Sequence, residues 1–302
     1  MDNSIYSYVV DGRTLKFRVR PGTDDTNIVE EVAVSEYYRN GRALLAGGST
    51  VIDVGGHIGS FSIISALSGA RAVILEPVPV NFKLITENVQ LNGLQKQVKA
   101  INAAVWSSAG EQSLGVADDS TGGSGFWYKK PTVPQIMVRT VRLSEVMASE
   151  HIDTCDLLKL DCEGAEFEIL SSLEPEVWPR IRAIVMEYHM FAGYTLAQLD
   201  ELLTTHGYIF TRRALSPGAG YGYLLAIRPP LPFVPIPPVA INLADSPYTH
   251  VPVLGWVWQR LRHPIHELIT YYLNGVVADY NVRQRLMNTY LNILAGHNAK
   301  DA

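Results

Sequence analysis

Cysteine is scarce in this sequence: 302 residues contain two, Cys155 and Cys162. A disulfide scaffold is excluded, no metal-finger spacing exists, and both thiols are expected to be reduced and in the core. No stretch approaches the run of about 18 apolar residues that a membrane span needs. The opening MDNSIYSYVVDGRTLKF lacks the charged start and apolar stretch of a secretion signal, so a cytoplasmic location is expected. An excess of base is missing too. Twenty-five Lys and Arg stand against 30 Asp and Glu, a formal charge of -5, which argues against a nucleic-acid partner.

The charge that is present lies unevenly. Residues 1–230 carry 20 basic and 26 acidic side chains, whereas residues 231–302 carry 5 and 4. Eight of the 17 prolines fall between Pro229 and Pro252. This change of character predicts a folded domain over residues 1–230, a proline-rich linker over 231–254 and a helical extension over 255–302. In the extension Ile265, Leu268, Ile269, Tyr272, Leu273 and Val276 recur at helical steps. Such a helix is expected to pair two copies into a homodimer or to pack back on its own chain. Trp256, Trp258, Arg260 and Arg262 keep open peripheral membrane contact by the tail.

Before residue 230 the periodicity alternates. Tyr6, Tyr8 and Val10, an Asp11-Gly12 turn, then Leu15, Phe17 and Val19 predict a β-hairpin. A helix is expected over residues 26–45, ended by Gly47 and Gly48. Strands TVIDV, ARAVILE and QVKAINAAV then alternate with helices IGSFSIISAL and VNFKLITENVQLN. Two more strands are expected near Gln112–Val116 and Gln135–Val141. CDLLKLD, AEFEILSSL, IRAIVMEYH and LAQLDELLTTH continue the alternation, and YIFTRRA with YGYLLAIRP forms a closing hairpin. The pattern predicts an α/β fold, a parallel sheet with helices on both faces and an antiparallel pair at one edge.

The sharpest motif is VIDVGGHIGSFS, where a strand runs through Asp53 into a turn holding Gly55, Gly56 and Gly59. Ligands of open α/β sheets sit beyond the carboxyl ends of the strands, and glycines let them approach the backbone. A dinucleotide loop starting at Gly55 would need glycines at 57 and 60, but His57 and Ser60 stand there. The acid suits the sulfonium and ammonium of S-adenosylmethionine (SAM) better than a pyrophosphate. The next strand ends at Glu76, whose carboxylate can accept hydrogen bonds from both ribose hydroxyls.

With VIDVGGHIGSFS, ILEPVPVNFKLITENVQLNG, INAAVWSSAGE, LLKLDCEGAEFEIL and IVMEYH in this order, the sequence resembles the FkbM family of SAM-dependent methyltransferases over roughly residues 27–228. The resemblance implies the Rossmann-like seven-stranded class I methyltransferase sheet and methyl transfer from SAM, usually to oxygen on sugars or natural products. It implies cofactor contacts at Asp53, Gly55, Gly59 and Glu76, and an adenine near Asn102, Ala103 and Ala104. Gly56, His57 and Asp161 join the cofactor-binding set by their place in the loop and at a strand end. His57 follows a second glycine where the family often carries a small residue and then Asn.

An alcohol acceptor must also lose its proton, to a positioned base or through a metal that lowers its pKa. The strand ends supply Asp161, Glu187 and His189, with Glu163 and Glu166 nearby. In one reading His189 or Asp161 is the general base. In another, Asp161, Glu187 and His189 hold Mg²⁺ or Mn²⁺, as in catechol-type methyltransferases. In a third, the acids cap the next helix, as Glu166 could. The segment Asp118–Pro131 is the expected acceptor loop, with Phe126, Trp127 and Tyr128 as flat faces for a small-molecule, carbohydrate or peptide acceptor. The expected function is O-methylation of a hydroxyl on a sugar, glycan or natural product. N-methylation of an amide or amine in a modified peptide, or a scaffold that keeps the SAM pocket without turnover, are the alternatives.

Overall fold

The computed structural model describes residues 4–117, 121–128, 132–191, 193–215 and 220–229. The expected linker and helical extension, and with them the dimer and membrane-contact roles, lie outside the described residues. Asp11 and Gly12 both take positive φ, 50° and 74°, the conformation a two-residue hairpin turn needs. They join β1 (Ser4–Val10) to β2 (Arg13–Val19) in antiparallel register. The expected helix over 26–45 is two helices, α1 (Asp25–Val34) and α2 (Glu36–Ala43). Ser35 separates them because its ψ of 127° is extended.

Alternation of strand and helix follows as expected: β3 (Thr50–Val54), α3 (Ser60–Ser65), β4 (Arg71–Leu75), α4 (Pro79–Leu91) and β5 (Val98–Ile101). The third predicted strand is broken after Ile101. Its second part, β6 (Ala104–Val105), leaves the main sheet and pairs with β8 (Gln135–Val141), which also carries β7 (Gly110–Gly115). Next come α5 (Leu143–Ser149), β9 (Leu157–Leu160), α6 (Glu166–Ser171), β10 (Ala183–His189), α7 (Leu196–Thr205), β11 (Ile209–Ala214) and β12 (Tyr221–Ile227).

The main sheet has seven strands in the order β11-β12-β10-β9-β3-β4-β5. Strands β10, β9, β3, β4 and β5 run parallel, and β12 is antiparallel to both neighbours. Every residue of β9 is buried, as a central parallel strand covered on both faces requires. Alternate residues feed two cores. Ile52, Val73, Leu158 and Ile184 face the one built with α5 and α6, while Val51, Ile74, Leu157 and Val185 face the other. The second core also takes Phe17 from β2, Val29 from α1 and Tyr38 from α2, so the amino-terminal hairpin and helices cover that face. Both layers leave the carboxyl ends of β3, β4, β9 and β10 open to one side, and the site forms there.

Candidate active site

Four strand ends meet around a cavity of about 460 Å³. The loop after β3 forms its floor. Gly55 has φ of 78°, and a Cβ there would lie 1.8 Å from the carbonyl oxygen of Asp161. At Gly56 a Cβ would lie 2.0 Å from Ile74 Cγ2. Both glycines are therefore demanded by close packing between β3, β4 and β9. His57 follows with φ of 50°, an uncommon conformation for a residue with a Cβ.

Glu76, just past β4, is buried and turned back on this loop. Its Oε2 accepts from His57 N at 2.9 Å and its Oε1 from Val78 N at 2.9 Å. Burial pushes the carboxyl up to about 7. A carboxylate oxygen has two lone pairs; Oε1 also accepts from Asn81 Nδ2 at 3.5 Å, so Oε2 is the one with capacity left for a ribose hydroxyl. Ala104, Val105, Leu114 and Phe126 supply apolar walls beside it. No Lys or Arg occurs among the described residues that line the cavity, so a pyrophosphate would find no cation, whereas sulfonium and ammonium groups would find Asp161, Glu163 and Glu187. This donor set fits SAM.

The remaining expected cofactor residues divide. Gly55, His57, Glu76, Ala104 and Asp161 line the cavity. Asp53 does not: it is fully buried beneath the loop, accepting from Ser62 Oγ at 2.8 Å and lying 3.3 Å from Lys159 Nζ. Gly56 and Gly59 shape the turn without lining the cavity, and Ala103 is buried in the core. Asn102 pins the chain after β4, donating to the carbonyls of Glu76 and Pro77 at 2.8 and 3.1 Å.

On the acceptor side, Asp161 Oδ2 accepts from Tyr38 Oη at 2.9 Å and lies 3.4 Å from Lys159 Nζ. Burial works against its charge, but the Lys159 ammonium overrides this and holds the carboxyl below its ordinary value. Glu187 lines the cavity, and burial together with the Asp161 charge pushes it up to about 8. Glu163 is raised to about 7, chiefly by burial.

His189 is differently placed from the free base expected. Its Nδ1 lies 3.3 Å from Glu166 Oε1, and its Nε2 lies 3.7 Å from Glu163 and 3.8 Å from Glu187. Burial disfavours the imidazolium, yet the surrounding carboxylates prevail and raise the group to about 10. His189 therefore enters the neutral range already protonated, and it does not line the cavity. Asp161, Glu187 and His189 do not form a ligand set, since no three His, Cys, Asp or Glu among the described residues are arranged to hold a metal ion. Glu166 accepts from Cys162 N and Gly164 N, which precede α6, so its side chain closes the loop before the helix, and the helix has no side-chain cap.

Several residues with no sequence signal of their own complete the cavity. Asp24, Ile28, Glu31 and Val32 line it, with Tyr38 and Tyr223. Tyr223 donates to Glu31, and its ring lies edge-on to Tyr38. No local motif marks them, because the pair Tyr223–Glu31 joins positions 192 apart. Of the expected acceptor loop, residues 121–128 are described. Phe126 lines the cavity, and Trp127 Nε1 donates to Gly164 O at 3.0 Å. Thr121 contacts Asp24, Asp25 and His57, joining this loop to the amino-terminal segment. Both cysteines are free, Cys155 in the core and Cys162 on the cavity wall.

Five parallel strands, an edge hairpin whose last strand inserts beside β10, a glycine turn after β3 and an acid after β4 define a class I methyltransferase. Residues 53–210 match the model of the methyltransferase FkbM domain. The chain belongs to this family of SAM-dependent methyltransferases. It is 30% identical over 203 residues to the 31-O-demethyl-FK506 methyltransferase FkbM of Streptomyces tacrolimicus, covering 57% of this chain and 76% of the relative. It is 30% identical over 193 residues to the methyltransferase sdnD of Sordaria araneosa, covering 54% and 74%. With the hexuronic acid methyltransferase AglP of Haloferax volcanii it shares 25% over 152 residues, covering 50% and 60%. The cavity residues from Asp24 to Tyr38, and Tyr223, fall outside the matched domain.

Proposed function

We propose that the chain transfers a methyl group from SAM to a hydroxyl oxygen on a sugar or natural product. The observation that carries this reading is one cavity joining the Gly55–Glu76 cradle to the carboxylates that follow β9 and end β10, with Tyr38 of α2 and Tyr223 of β12. The relatives' names support it, one acting on 31-O-demethyl-FK506 and another on hexuronic acid. SAM supplies an activated methyl on a cationic sulfur. Glu76 accepts from a ribose hydroxyl, and ionised Asp161 favours positive charge beside it. Tyr223 and Phe126 line the acceptor side with aromatic rings, and buried Tyr38 packs behind Tyr223. With no Lys or Arg among the described lining residues, an uncharged acceptor is favoured, unlike a hexuronate.

Glu187 is assigned the proton. As the new O–C bond forms and the S–C bond breaks, the hydroxyl hydrogen passes to its carboxylate. A base works best with a pKa near the operating pH, and Glu187 stands at about 8. The test is transfer of labelled methyl from SAM to a panel of saccharides and hydroxylated natural products, with mass spectrometry placing the methyl on oxygen or nitrogen. Glu187→Gln is expected to lower turnover by about 10²–10⁴-fold while S-adenosylhomocysteine affinity is retained. Full turnover in that variant would remove Glu187 as base. Turnover is expected to persist in EDTA, because Tyr38 and Lys159 already engage Asp161, and His189 lies against Glu163 and Glu187.

A further inference from the structure

Lys159 does more than hold Asp161 ionised. Lys159 sits in β9 within the otherwise apolar run LLKL, and its side chain is 4% exposed. Taking an ammonium out of water costs several kcal/mol unless its partners are well placed, so a buried Lys in a central strand calls for a reason. Its partners identify one. Nζ donates to the carbonyl of Gly55 at 2.6 Å, inside the glycine loop. It lies 3.3 Å from Asp53 Oδ1, and the parallel register of β3 and β9 sets these two residues side by side. On its other side it lies 3.4 Å from Asp161 Oδ2, the oxygen that also accepts from Tyr38. One cation thus touches the cofactor loop, the acid beneath that loop and the acid on the cavity wall.

We infer that Lys159 is a positioning residue that locks the Gly55 loop and the Asp161 carboxylate into one unit, so that the cofactor cradle and the acceptor-side wall are set together. The inference rests on the cofactor reading above. Asp53, which does not line the cavity, then acts through Lys159 as its fixed counter-charge. A purely structural lysine would support the sheet but would leave the ligand affinities of loop and wall independent of each other.

The distinction is measurable by calorimetry of S-adenosylhomocysteine binding to wild type, Lys159→Met, Asp161→Asn and the double variant. Lys159→Met is expected to weaken binding by at least about tenfold, and the double variant to bind at least about fivefold tighter than the two single losses multiplied together. Multiplicative losses, or wild-type affinity in Lys159→Met, would overturn the inference. Lys159→Arg retains the charge among the same carboxylates, so the cycle is also run with it. Arg is expected to restore part of the affinity, and an Arg variant no better than Met would count against positioning. Failure of the wild type itself to bind would instead strike the cofactor reading.

Discussion

His189 shows how strongly its neighbours decide a residue's task. Glu166, Glu163 and Glu187 surround the imidazole at 3.3, 3.7 and 3.8 Å, and Glu166 foremost, with Glu163 and Asp161, holds it charged against its burial. The folded-state value of about 10 exceeds the ordinary 6.5, so the pair's contribution to stability is complete below pH 6.5 and is lost as pH rises through 10. His189→Gln is expected to cost about 1.5–3 kcal/mol at pH 6, the range for a hydrogen bond to a charged group. Above pH 10 the cost should shrink, and urea unfolding at both pH values measures it. An equal cost at both would show that the imidazole is neutral throughout. A histidine two residues after a glutamate at a strand end reads in sequence as a candidate base. Only the approach of the β9–α6 segment, with Glu163 and Glu166, to the end of β10 makes it a cation.

At the scale of elements, the join between β3 and its loop is fixed by space rather than by chain flexibility alone. Gly55→Ala places a Cβ against the Asp161 carbonyl and forces β3 and β9 apart. The expected cost is about 3 kcal/mol or more, from overpacking added to a positive φ, together with loss of S-adenosylhomocysteine binding. Gly93 also has positive φ, 67°, but open space around it. Gly93→Ala should cost only about 1–2 kcal/mol and leave binding intact. Chemical denaturation and calorimetry on the pair separate crowding from backbone preference. The glycine loop was legible in sequence because its spacing is local. The break after Ile101 was not, because QVKAINAAV holds no Gly or Pro to mark a turn and β6 is drawn away by its pairing with β8.

Across the whole molecule, a buried polar network ties the amino-terminal segment to the site. Asp25 is fully buried and accepts from Arg20 Nε at 2.9 Å and Nη2 at 2.7 Å. Burial opposes its charge, but His57 and Arg20 hold the carboxyl well below its ordinary range. Arg20 also donates to Asn81, which joins Thr121 O. Removing one partner of such a pair strands the other, so Asp25→Ala is expected to cost about 3–5 kcal/mol. Amide exchange should quicken both near Thr121 and in α1, reporting a network shared by the two segments. Quickening confined to α1 would show that the acceptor loop stands without it.

Chain order was enough to read the alternation of strands and helices, the antiparallel hairpin at the sheet edge, the glycine turn and the acid Glu76. These depend on periodicity, turn residues and spacing within a few positions, which chain order preserves. Folding in three dimensions set Asp53 under the loop rather than in the cavity, brought Lys159 to both strand ends, and made Tyr38, Glu31 and Tyr223 a wall of the cavity. Those outcomes depend on which charges and rings meet across the sheet from distant positions. Protonation, burial and access follow from that meeting and leave no trace in local spacing.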